Sequence, residues 1–77
     1  MRVEDVVAKV LDVPVADIRD DSSPETLLAW SSFRHLTLLT TVEKQFKIKL
    51  TREEMFGVGS VGQLKDILHA HGVAVEG

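Results

Sequence analysis

Apolar and polar positions recur at helical spacing through most of the chain. Val3, Val6, Val7, Val10 and Leu11 fall at i, i+3, i+4, i+7 and i+8, which is one face of an amphipathic helix. Glu4 and Asp5 occupy its first turn, where the positive end of the helix dipole favours acids. Valine is a modest helix former, so this helix depends on tertiary packing. Pro14 marks its end. The widest stripe spans residues 32–46, with Phe33, Leu36, Leu38, Leu39, Val42 and Phe46 at helical spacing, and predicts a second helix. Ser31 or Ser32 is its N-cap, because a short hydroxyl side chain accepts from the free N–H groups of a first turn.

Two further helix starts are written as capping boxes. Thr51-Arg52-Glu53-Glu54 opens a short third helix through Met55 and Phe56, both read as core residues, and Gly57 and Gly59 break it. Ser60-Val61-Gly62-Gln63 opens a last helix with Val61, Leu64, Ile67 and Leu68 on one face, closed by Gly72. The tail, about residues 73–77, is expected to fray.

Residues 12–31 form a connection too long for a plain turn. Val15, Ile18, Leu27 and Leu28 are spaced anchors along it, and Ser22-Ser23-Pro24-Glu25 predicts one short helical turn. Lys47-Ile48-Lys49-Leu50 alternates like a strand but has no second strand to pair with. The predicted fold class is all-α: a small four-helix bundle, third helix short, with a long loop between helices 1 and 2, in a single domain of residues 1–77.

Composition narrows the function classes. The chain has no cysteine, which excludes disulfides, thiolate metal sites and cysteine nucleophiles. Twelve acids and nine bases give a net charge of −3, which argues against nucleic acid as the main partner. Residues 1–30 hold seven acids and three bases, and residues 31–77 hold five acids and six bases. No apolar run approaches the roughly 20 residues of a membrane span, and the N-terminus turns acidic at once, unlike a secretion signal. The chain therefore reads as a cytoplasmic monomer, and its Met1 start suggests a discrete protein.

Several apparent motifs dissolve on inspection. Gly57-Val58-Gly59-Ser60-Val61-Gly62 spells the dinucleotide fingerprint, but that pattern has meaning only after a strand in a βαβ unit. His35, His69 and His71 make no zinc spacing. Glu53 and Glu54 are adjacent and diverge on a helix. No nucleophile–base–acid set is indicated, so the chain is not read as an enzyme.

The segment Leu27-Leu28-Ala29-Trp30-Ser31-Ser32-Phe33, followed by the helix that ends in Glu43-Lys44-Gln45-Phe46, resembles the acyl carrier protein family. That family has an Asp-Ser-Leu motif opening its second helix, often preceded by Trp, and an acidic turn with Phe at the helix end. Trp30 matches the Trp, Ser31 stands where Asp is usual, Ser32 matches the modified serine and Phe33 replaces Leu. Phe46 follows Ser32 by 14 residues, as in the family, and the spacing favours Ser32 over Ser31. The likeness extends over the whole chain.

The resemblance implies a covalent 4'-phosphopantetheine arm on Ser32, flanked by Ser31 and Trp30. A phosphopantetheinyl transferase would take that arm from coenzyme A. Acyl-loading and acyl-processing enzymes would then act on cargo held as a thioester. A phosphodiester at a helix N-terminus meets free N–H groups and the positive dipole end. Trp30 is expected half-exposed beside the arm, its area favouring packing of the loop onto the second helix over lining a cargo surface.

Two departures from the family stand out. Ser31 removes an acid that the resemblance associates with transferase recognition. The second helix, acidic in typical members, carries Arg34, His35, Thr37, Thr41 and Lys44 on its solvent side, with Glu43 its sole acid. Electrostatic steering by that face would be weak. Phe33, Arg34, Thr37 and Thr41 are the candidate partner-binding residues. The departure suits a dedicated partner set in polyketide or other natural-product synthesis, and equally suits unconstrained surface drift. The alternative function is a carrier-like helical interaction module that is never modified.

Overall fold

The first amphipathic stretch forms α1, Val3–Leu11, in the computed structural model, which describes residues 2–73. Val3, Val6, Val7 and Leu11 are buried, as their spacing requires. The helix ends two residues before Pro14, at Asp12, whose left-handed backbone (φ 57°) turns its N–H to the Ala8 carbonyl. Aspartate tolerates that conformation better than most residues.

The second stripe forms α2, Ser32–Phe46, the third α3, Arg52–Gly57, and the last α4, Val61–Ala70. Only helices and turns occur among the described residues, so the all-α, four-helix prediction stands. Thr51 and Glu54 form a complete capping box. At α4 the box is displaced: Ser60 Oγ accepts from the Gln63 N–H, while Gln63 Oε1 accepts from Gly59, one residue before the cap. Gly72 takes the left-handed conformation (φ 82°) that closes α4, and Val73 bonds back to the Leu68 carbonyl. The rest of the expected tail lies outside the described residues.

One core joins all four elements. Leu38, Leu39 and Val42 of α2 meet the α1 valines and Leu64 and Leu68 of α4 in a single buried cluster. The long loop is pinned rather than loose. A single 3-10 turn, Val15–Asp17, precedes buried Ile18. Ser23 and Leu27 close one further turn, while Ser22 Oγ accepts from Arg19 instead of capping it.

The loop then docks on the start of α4. Val61 N–H donates to the Ser22 carbonyl and Gly62 N–H to the Asp20 carbonyl, at 3.0 and 2.7 Å. A Cβ on Gly62 would stand 3.1 Å from that Asp20 oxygen. Gly62, the last glycine of the dinucleotide-like pattern, thus serves close backbone approach, with no strand before it. Lys65 completes the joint, its Nζ 2.6 Å from both Glu4 Oε2 and Asp20 Oδ1.

Candidate functional site: the start of the second helix

The site is built by the turn that feeds α2. Leu27 N–H bonds to the Ser23 carbonyl, Trp30 N–H to Leu27 and Ser31 N–H to Ala29, so the loop arrives tightly wound. Ser31 is extended (φ −83°, ψ 169°), and its Oγ accepts from the Arg34 N–H at 3.2 Å. Of the two serines left open as cap, Ser31 is therefore the cap. Ser32 is the first helical residue, is exposed, and among the described residues its hydroxyl has no hydrogen-bond partner. The N–H groups of Ser32 and Phe33 are likewise unbonded there, as a helix start requires.

Trp30 corrects an expectation. It is 3% exposed and not half-exposed. It packs the loop onto α2, and its indole N–H donates to His35 Nδ1 at 3.0 Å, with the ring centroids 6.1 Å apart. An indole can only donate, so Nδ1 accepts and the imidazole proton sits on Nε2. That proton is donated to the Met55 carbonyl at 2.9 Å. His35, placed by its sequence position on the solvent side, instead straps the serine loop, α2 and α3 together.

The strap sets Phe56 beside Ser32. Phe56 is 75% exposed and so is not a core residue; Met55 beside it packs partly against the core. A groove of about 370 Å³ opens there, lined among others by Pro24, Ser32, Leu36, Phe56 and Val58.

The α2 stripe also divides. Phe33 is 78% and Leu36 56% exposed, while Leu38, Leu39 and Val42 are buried. At about 100° per residue, Val42 lies half a revolution from Phe33. That was legible in the sequence, but grouping all the apolar residues into one stripe concealed it. A second, shallower groove of about 340 Å³ follows the outer face, lined by Phe33, Leu36, Thr37, Thr40, Thr41 and Lys44. Of the four candidate partner residues, Phe33, Thr37 and Thr41 share this groove. Arg34 does not, because its guanidinium turns back to donate to the Val10 carbonyl at 3.1 Å.

Chemically, this helix start suits an anion attached to a serine. The first turn of α2 carries no acid, two N–H groups are open, and the dipole is positive at this end. A phosphodiester on Ser32 fits the residues present. No described helix is long and apolar enough to cross a membrane, and no cluster of potential metal ligands occurs among the described residues.

Comparison with known proteins agrees with this geometry. The family model described as phosphopantetheine attachment site matches residues 2–68. The chain therefore belongs to that family of small helical domains, whose prosthetic group is covalently bound phosphopantetheine. Its members are carriers without catalytic activity of their own, and this chain is a carrier and not an enzyme. No curated protein matches it.

Proposed function

We propose that Ser32 bears the phosphopantetheine arm and that the protein shuttles acyl or related intermediates between enzymes of a polyketide, fatty-acid-like or other natural-product pathway in the cytoplasm. One observation carries the choice of serine. The Ser31 hydroxyl is committed to capping α2, while the Ser32 hydroxyl is exposed and unbonded. When bound, the arm supplies the terminal thiol that this cysteine-free chain lacks. Ser32 would anchor it, the open N–H groups of the first turn would stabilise its phosphate, and the Trp30–His35–Met55 bonds tie the loop before the anchor to α3.

The pathway assignment draws its support from the outer face of α2, which lacks the acids of typical acyl carrier proteins. The test is an intact mass after incubation with coenzyme A and a broad-specificity phosphopantetheinyl transferase. Wild type and Ser31→Ala should each gain one phosphopantetheine, and Ser32→Ala none, with its helical signal intact. Full loading of Ser32→Ala would refute the site. No loading of folded wild type by several transferases would favour the unmodified interaction module, the reading to which the missing acid at Ser31 lends weight.

A further inference from the structure

His35 stands between two neighbours with opposite demands. The Trp30 indole N–H can only donate, and the Met55 carbonyl can only accept. An imidazole satisfies both only when it is neutral, with Nδ1 as acceptor and Nε2 as donor. Both nitrogens of a protonated imidazole are donors, so turning the ring over does not restore the bond to Trp30. The added charge would also meet the indole at its N–H, on the electropositive edge of that ring. Trp30 is buried, where an indole N–H without an acceptor is costly.

A proton can reach this histidine. His35 is half-buried and lines the open groove beside Ser32. Nε2 donates to Met55 in either protonation state, so a second proton releases the serine loop and leaves α3 in place.

The charged groups of the elements packed there are occupied or exposed. On α2, Arg34 donates to the Val10 carbonyl. On α3, Glu54 accepts from the Thr51 N–H and pairs with His71 at the end of α4, while Arg52 and Glu53 are exposed. On the loop, Glu25 is exposed. Among the described residues no acid forms an ion pair with His35, and Ser32, one helical turn away, is neutral until it is loaded.

We propose that His35 is a proton-sensitive positioning residue for the loading of Ser32: neutral, it ties the Trp30 loop to α2 and α3, and protonated, it lets that loop go and loading slows. His35 acts through Trp30 and touches no reacting atom. The proposal rests on the assignment of Ser32 as the attachment site.

Glutamine supplies the comparison, because its amide offers an acceptor and a donor at every pH. The chain has one tryptophan, so a single indole N–H signal in NMR spectra reports the bond. In unloaded protein that signal should move through one titration step between about pH 8 and 5, the window in which imidazoles titrate, in wild type and stay in place in His35→Gln. Loading by coenzyme A and a broad-specificity phosphopantetheinyl transferase is then timed by intact mass across the same range. The ratio of the wild-type rate to that of His35→Gln cancels the enzyme's own pH dependence. It should fall about fivefold from the alkaline to the acid end, the loss expected for one hydrogen bond. His35→Leu can make neither bond. With its helix content intact by circular dichroism, it should load about fivefold more slowly than His35→Gln at every pH.

An indole signal in wild type that ignores pH, or a rate ratio that stays flat, would overturn the proposal. So would folded His35→Leu loading as fast as His35→Gln. Absence of loading in every form would overturn the Ser32 assignment and the positioning role together, and the indole titration, which needs no loading, keeps that failure distinct from failure of the bond to respond to protons.

Discussion

Along α1 and α4, valine and leucine side chains lie out of contact with water and a lysine is held between two carboxylates. At the start of α2, large apolar side chains stand in solvent around a serine whose hydroxyl is unbonded. The same residue types thus serve two ends. Where leucines face inward on three elements they hold the bundle together, and where they face outward beside Ser32 they add little stability and remain available to a partner. A small domain has few residues with which to build a core, so leaving Leu28, Phe33, Leu36 and Phe56 exposed is a costly arrangement unless those side chains have contacts to make. The exposed apolar residues around Ser32 and the stabilising core are therefore separate populations, and along α2 they lie on opposite sides of the helix axis.

The sharpest way to break this comparison is to truncate a leucine on each side. Leu39→Ala, fully buried in the shared core, should cost about 3 kcal/mol. Leu36→Ala, on the outer face, should change stability by no more than about 0.5 kcal/mol. Urea denaturation of both measures the contrast, and equal losses would mean that the two faces are not distinct.

A smaller effect is expected at the Lys65 joint. Lys65→Met leaves the largely buried Glu4 carboxylate with only the Arg2 guanidinium, 3.8 Å away, as its cation, and should cost about 2 kcal/mol near neutral pH. The pH dependence has a defined sign. Burial acts to raise the Glu4 pKa, but the Lys65 hydrogen bond, a bond from Glu4's own backbone N–H and the charges of Lys65 and Arg2 together outweigh it and hold the carboxyl below its ordinary value. The stabilisation is full above the ordinary glutamate pKa and fades as pH falls through the depressed folded value. Lys65 is raised, chiefly by its bonds to Asp20 and Glu4. Its contribution is full below the ordinary lysine pKa and fades as pH rises through the raised one. The difference between wild type and Lys65→Met should therefore be flat around neutrality and shrink at both extremes. A difference that grew in acid would contradict the joint.

A smaller loss than at the Lys65 joint belongs to the helix cap. Ser31→Ala should cost about 1 kcal/mol through loss of the bond from Arg34. Ser31→Asp keeps a capping oxygen and should melt near wild type while loading faster with a general transferase. Thermal melts and loading rates on the two variants separate capping from recognition, and an unchanged or slower rate for Ser31→Asp would remove the missing acid as a determinant.

Local pattern was enough to predict the four helices, because α1, α2 and α4 bury a stripe at helical spacing and α2, α3 and α4 begin with a hydroxyl cap that needs only local backbone. The motif around Ser32 was legible for the same reason: Trp, two serines and the distance to Phe46 are properties of a continuous segment. What lay beyond the sequence were contacts between segments far apart in the chain. Trp30 looked half-exposed and His35 solvent-facing until α3 brought the Met55 carbonyl within reach. Phe56 looked like core until that strap set it beside Ser32. Arg34 and Glu43 looked like available charges until Val10 and Leu50 took them. The sequence determined which helices form and which pair of serines opens the second. The tertiary structure decided which side chains are occupied and which are free, because hydrogen-bond partners and burial depend on neighbours that chain order does not bring together.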